Sequence, residues 1–260
     1  MKKTMVVFTA FFLTALTLTF SGGNAQAAAF SGGEAWIDWT TFTIDGNISL
    51  TEGVSQSSVH VESDIGGDED GDVTLGFSPW GNTYAFASIP PNMEGTAWTD
   101  ESDLYATANV DVYGIDSTSA SSKADAYRRG DFVANSDTLV TISAEHFLSQ
   151  SLSSDDMGEW AWNLAEAGLR LKNGNTLESG EDIGQLANYA PDGDYIYDTY
   201  HDSLLLEVSV PFSAGEMGFF EAWAHNGAQA EANVIPEPTT LLLLGSGLAG
   251  IFGLRRKTTI

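Results

Sequence analysis

Between residues 104 and 113 apolar and polar side chains alternate without a break. Leu104, Ala106, Ala108, Val110 and Val112 interleave with Tyr105, Thr107, Asn109, Asp111 and Tyr113. Successive side chains of a strand point to opposite faces, so this pattern predicts a strand with one buried face; on a helix the same residues would scatter around the axis. The period returns where Leu204, Leu206, Val208, Val210 and Phe212 interleave with Leu205, Glu207 and Ser209, and again over 139–148, 160–172 and 218–232. Further strands are predicted at 35–44, 58–62, 72–77 and 84–89. Asp45-Gly46, Pro90-Pro91, Asn173-Gly174 and Asp192-Gly193 supply turns between them. Residues 161–171 contain good helix formers, but Ala161, Ala165, Ala167, Leu169 and Leu171 share one parity, which favours a strand. About ten short-to-medium strands predict an all-β fold, an antiparallel β-sandwich of jelly-roll-like form.

The two ends of the chain have a different character. Met1-Lys2-Lys3 is a basic start, Met5 to Phe20 is apolar with interspersed threonines, and Ala25-Gln26-Ala27 and Ala27-Ala28-Ala29 are small-x-small sites. In that order they form a secretory signal peptide over residues 1–27, removed by signal peptidase. At the other end Pro236-Glu237-Pro238 precedes an uncharged run over 239–254, followed by the basic residues Arg255, Arg256 and Lys257. As a helix that run reaches about 24 Å, short for a bilayer core of about 30 Å. The cations hold its end on the cytoplasmic side. It reads as a single membrane-anchor helix with a basic tail at 255–257, leaving 28–235 outside.

Pro236, Glu237 and Pro238, the short apolar segment, and Arg255 with Arg256 resemble a PEP-CTERM sorting signal at 236–260. Such tails occur on exported proteins of Gram-negative bacteria that make extracellular polysaccharide. The resemblance implies recognition by exosortase, an integral-membrane enzyme similar to cysteine transpeptidases, and cutting near the Pro-Glu-Pro. The prolines keep the segment before the membrane extended and open to cleavage. It implies an inner-membrane intermediate, then a place at the cell surface or in the extracellular matrix. A further resemblance covers the body: 120–152, 161–171 and 202–232 look like the modular β-domains that often precede such tails, which carry no assigned biochemical role.

Residues 28–235 hold 35 Asp and Glu against five Lys and Arg (Lys123, Arg128, Arg129, Arg170 and Lys172), a net charge near −30. That field repels nucleic acid and anionic lipid, so neither is a partner, and the membrane is met only through the C-terminal segment. It also favours divalent cations and solubility in salt. Cysteine is absent, so burial alone holds the domain, and about 200 residues suffice for one core.

The densest chemistry is Asp64-Ile65-Gly66-Gly67-Asp68-Glu69-Asp70-Gly71-Asp72. Carboxylates alternating around glycines can wrap calcium, which makes Asp68, Asp70 and Asp72 candidate calcium ligands. The position of the glycine and Pro79 at the twelfth place do not fit an EF-hand loop, and a solvated acidic turn is the competing reading. No other cofactor is indicated. His60, His146, His201 and His225 are scattered, and no metal-spaced pair, triad or phosphate loop points to catalysis. All seven tryptophans lie in 28–235. Trp36, Trp80 and Trp98 are candidates for stacking on pyranose rings. Trp36 and Trp39 have opposite parity, so one of them leaves the core if the strand is regular; the competing reading is that these rings fill the core. The expected function is that of an exported, exosortase-processed, non-enzymatic surface or matrix protein associated with exopolysaccharide. The alternative is a carbohydrate-binding module, calcium-dependent or not.

Overall fold

The computed structural model describes residues 27–232, except 65–66, 78–79, 91–92, 115–117 and 156–157. The signal peptide and the sorting segment lie outside the described residues. Among the described residues there is no helix and none able to cross a membrane.

Twelve strands follow one another: β1 (Ala27–Asp45), β2 (Ile48–Ser63), β3 (Asp68–Phe77), β4 (Thr83–Ile89), β5 (Met93–Thr99), β6 (Asp103–Gly114), β7 (Thr118–Ala134), β8 (Thr138–Ser154), β9 (Trp160–Asn173), β10 (Ser179–Pro191), β11 (Tyr195–Phe212) and β12 (Met217–Ala232). They form two six-stranded sheets. Sheet A has the order β11-β8-β1-β6-β5-β4 and sheet B the order β10-β9-β12-β7-β2-β3. Recorded pairings such as β1 with β8 and β12 with β9 are antiparallel. Thr107 bonds to Gly33, Tyr105 to Glu34 and Trp36 to Asp103, so β6 and β1 also run in opposite senses.

Each predicted strand is present, and 160–173 is the strand β9 rather than a helix. Three strands escaped the sequence pattern: β5, β7 and β10. Their buried positions are mostly small or polar, with one large apolar residue on each: Met93 on β5, Phe132 on β7 and Leu186 on β10. On β7 these are Ala120, Ser122, Ala124, Ala126, Arg128, Phe132 and Ala134. The acidic run differs from expectation too. From Asp68 onward it is strand, not loop, and Asp68 to Asp72 pair with Ser63 to Val59 of β2.

Alternate residues are buried along the strands inside the sheets, as on β8, where Val140, Ile142, Ala144, Leu148 and Leu152 point inward; the edge strand β3 has no buried residue among those described, and β10 has two, Leu186 and Ala190. These inner faces meet across the two sheets. Phe132 of β7 stands edge-on to Phe212 of β11 at 5.1 Å, and Gln150 of β8 donates to the Asn163 carbonyl of β9 at 3.0 Å. Ser57, Thr83 and Thr99 form a buried hydroxyl chain at 2.6 and 2.9 Å from β2 to β4 to β5. Half of the buried apolar residues are alanine, so this core depends on many short contacts and on satisfied polar groups.

The turns use the predicted chemistry. Gly46 has a φ of 140°, and Asp192 and Gly193 have φ of 52° and 89°, values that favour glycine or Asp. Asn173 closes its turn by accepting the Asn175 and Thr176 amides on Oδ1.

Candidate glycan-binding face

The outward-facing residues of sheet A include a row of aromatic rings. Tyr84 on β4 is the cross-strand partner of Trp98 on β5, and Trp98 is the partner of Tyr105 on β6. Trp98 and Tyr105 stack at 4.0 Å with planes 20° apart. On the next two strands Trp36 of β1 faces Phe147 of β8, stacked at 4.9 Å. The row thus crosses five neighbouring strands, about 19 Å at ~4.8 Å per strand. It exists because each ring stands at the polar phase of its strand: Tyr105 lies between buried Leu104 and Ala106, and Trp36 between buried Ala35 and Ile37. Trp36 and Trp98 are half-buried and Tyr84 is 57% exposed.

Carboxylates hold these rings in place. Trp36 Nε1 donates to Asp103 Oδ1 at 2.6 Å. The Tyr105 hydroxyl donates to Glu34, which also accepts Ser149 Oγ at 3.0 Å. Burial, with the Glu34 bond, holds the Tyr105 phenol well above its usual range, so it remains a donor. Farther along the same face a groove of about 560 Å³ is lined by Phe30, Phe86, Ser88, Glu94, Asn109 and Asp111 among others. Burial, and then Asp155, push the Asp111 carboxyl up from its ordinary value. Rigid rings flanked by hydrogen-bonding groups suit a ligand that is apolar on its faces and polar at its rim.

Sheet B presents a different surface. Its outward residues pair their charges within the chain: Arg170 with Glu181 at 2.6 Å and Glu221 at 3.2 Å, Arg129 with Asp131 at 2.9 Å, Lys123 with Asp125 at 3.4 Å. His225 Nδ1 meets Asp125 at 2.7 Å. Trp160, Trp162, Tyr189 and Gln229 line a smaller hollow on this side, and Trp160 is tied to Glu231 at 3.0 Å.

The candidates named from sequence separate here. Trp36 and Trp98 face outward in one row. Trp80 has a φ of 57°; its indole packs on Trp39 at 5.8 Å and Phe220 at 6.0 Å and donates to the Arg129 carbonyl at 3.2 Å. It serves packing, and it anchors an unfavourable backbone conformation. Trp39 falls in a register break between Asp38 and Thr43 of β1, which turns it onto Phe42 at 4.1 Å. Asp68, Asp70 and Asp72 lie along β3, and two of them are engaged: Asp70 Oδ2 accepts the Ser88 amide at 2.9 Å and Asp72 Oδ2 the Phe86 amide at 3.4 Å. Among the described residues no three His, Cys, Asp or Glu side chains form a group able to hold a metal. Tyr84, Tyr105 and Phe147 were not singled out from the sequence. Their signal was an aromatic ring at the polar phase of an alternating strand.

Neither the curated proteins nor the solved structures contain a match to the chain. One family description does match: the PEP-CTERM protein-sorting motif, over residues 234–257. These residues include Pro236, Glu237, Pro238, Arg255 and Arg256, the elements on which the resemblance rested. The motif implies export in a Gram-negative bacterium and processing by exosortase. By that motif the chain is a PEP-CTERM protein.

Proposed function

We propose that this is a surface or extracellular-matrix protein that binds exopolysaccharide without catalysing a reaction. Signal peptidase removes residues 1–27. The run at 239–254 holds an inner-membrane intermediate by a short helix, with 255–257 in the cytoplasm, until exosortase cuts near Pro238 and frees residues 28–235 for the cell surface or matrix. In this reading the two sheets form a sandwich. Its strand order supports a jelly roll: β6-β1-β8-β11 opposite β7-β12-β9-β10 is the two-sheet order of that fold, with β1 in the place of the last strand. Jelly rolls serve as lectin domains among other roles, a likeness of fold alone.

The observation that carries the reading is the row Tyr84, Trp98, Tyr105, Trp36 and Phe147 on one sheet face. Its rings recur at strand spacing within Tyr84, Trp98 and Tyr105 and within Trp36 and Phe147, close to the length of one sugar in an extended glycan, with a diagonal step of two residues between Tyr105 and Trp36. Binding rather than catalysis is supported by the structural use of two histidines: His146 is buried on the Leu204 carbonyl and His225 is paired with Asp125.

Retention of the full-length chain, in mild detergent, on columns of immobilised extracellular polysaccharides of differing charge tests this. At least one column should retard the protein. Trp36→Ala with Trp98→Ala should weaken retention about tenfold, or ~1.4 kcal/mol. Passage through every column, or equal retention of the double variant, removes the binding reading.

A further inference from the structure

All five Lys and Arg of residues 28–235 lie on β7 and β9, both in sheet B. Sheet A has none. Sheet B shows what the chain does with aromatic faces and carboxylates when it has cations to place among them. Arg129 lies over the Phe219 ring at 4.0 Å and also bonds Asp131; Arg170 lies 5.5 Å from Trp223 and also bonds Glu181 and Glu221. Each guanidinium answers a ring and a carboxylate together.

Sheet A repeats the ring-and-carboxylate half of this arrangement and lacks the cation. Trp98, Tyr105 and Trp36 stand beside Glu34 and Asp103, and Glu94 and Asp111 line the adjoining groove. The nearby Asp155 carboxylate adds to the unfavourable field at Asp111. An anionic polymer would be repelled, and a neutral one would leave these carboxylates, Glu34 and Asp103 already hydrogen-bonded within the chain, without a counter-charge.

Resting on the reading that this face binds glycan, we propose that its ligand is a cationic polysaccharide, a polymer rich in de-N-acetylated amino sugars. Pyranose faces stack on the rings of Trp98 and Trp36, while the ammonium groups take the place on sheet A that Arg129 and Arg170 take on sheet B. A repeating cation on a stiff chain suits a row of rings at strand spacing better than a single small cation does.

Titrating the full-length chain in mild detergent with three β-1,4-linked hexasaccharides, of glucosamine, N-acetylglucosamine and glucose, tests the proposal. The glucosamine hexamer should bind at least tenfold tighter than the other two. It should weaken by roughly tenfold between low and high salt as the pairing is screened. Glu34→Gln with Asp103→Asn should remove most of its advantage, and Trp98→Ala should weaken binding severalfold; should Trp98→Ala fail to fold, Trp98→Leu keeps much of the bulk. If the neutral hexamers bind as tightly, or the carboxamide variant is unchanged, the cationic ligand is wrong while the glycan-binding face stands. If the glucosamine hexamer binds and Trp98→Ala leaves it unaltered, the attraction is only that of the overall charge and the proposal falls. If none of the three binds and no polysaccharide column retards the protein, the glycan-binding reading falls with it.

Discussion

The Asp182 carboxylate on β10 accepts the backbone N–H of Glu207 on β11 at 2.9 Å. It does at one side of the molecule what Asp70 does at the other, where its Oδ2 accepts the Ser88 N–H of β4 at the same distance. β11 and β4 are the two edge strands of sheet A, and β10 and β3 the edges of sheet B. Each open edge of sheet A therefore meets acidic side chains from the neighbouring edge of sheet B. Thr74 Oγ1 adds a donor to the Tyr84 carbonyl at 2.7 Å. Unpaired edge amides invite pairing with another chain, and charged side chains placed over them prevent it. Part of the acidity of this chain thus has a local structural use.

Replacing Asp70 and Asp182 together by alanine should expose both edges. The groups are near solvent, so the loss of stability should be modest, about 1 kcal/mol for each bond. The larger effect should be association, read as growth of light scattering at high protein concentration. Asp70→Asn with Asp182→Asn keeps a carbonyl acceptor at each site and should associate less. A double alanine variant as monodisperse as the native chain would show that these carboxylates do not guard the edges.

How far the sequence foretold this arrangement depended on bulk. Strands with large inward residues, such as Leu206, Val208, Val210 and Phe212 of β11, were plain, although Leu204 of the same parity is exposed. β7 was hidden because its inward positions run through alanine, serine and Arg128, and β10 because Leu186 and Ala190 are its buried apolar residues. Parity placed one of Trp36 and Trp39 outside the core, and Trp36 is the one that faces out. Parity could not show that Trp98 and Tyr105 would stack beside it, since that follows from strand order, which long-range pairing decides. The acidic run looked like a loop because aspartate and glycine disfavour strands. It is a strand because β2 pairs with it and β4 gives its carboxylates amide donors.

His146 should give stability a pH dependence of its own. It is buried on β8, its Nδ1–H donates to the Leu204 carbonyl at 2.6 Å, and its Nε2 has no partner. Burial lowers its pKa, against the opposing pull of the Leu204 carbonyl and Asp182. The unfolded chain takes up this proton near pH 6.5, before the folded one does. Its stability contribution is therefore complete above that value and declines as the pH falls from it toward the lower folded pKa. His146→Gln keeps a donor for Leu204 and does not titrate. Urea unfolding at pH 7.5 and 5.5 should show the native chain losing up to ~1 kcal/mol more than the variant; parallel losses would assign the pH dependence to other groups.

Arg128 is a buried cation that joins the two sheets. It rises from β7 of sheet B, is 1% exposed, and donates from Nη2 to the Asp100 carbonyl at 2.6 Å, in the turn between β5 and β6 of sheet A. Its guanidinium also lies 4.7 Å from the Trp39 ring, and Nε reaches Ser55 Oγ at 3.3 Å. Burial pulls its pKa down to about 10, with Asp100 acting the other way, so it remains charged at neutral pH. Arg128→Ala removes the bond and the stacked guanidinium and opens a cavity among Trp39, Ser55 and Asp100, a loss of about 3–5 kcal/mol. At ~2–4 °C per kcal/mol for a domain of this size, the melting temperature should fall by about 10 °C. Arg128→Met should be milder by ~1–2 kcal/mol, because it fills most of the space and removes an Nη1 that has no hydrogen-bond partner. Thermal unfolding followed by near-ultraviolet circular dichroism, which reports on Trp39 and Trp80, compares the three proteins. If methionine is as damaging as alanine, the directed guanidinium contacts matter more than the filled volume; if alanine melts within about 2 °C of the native chain, Arg128 does not join the sheets.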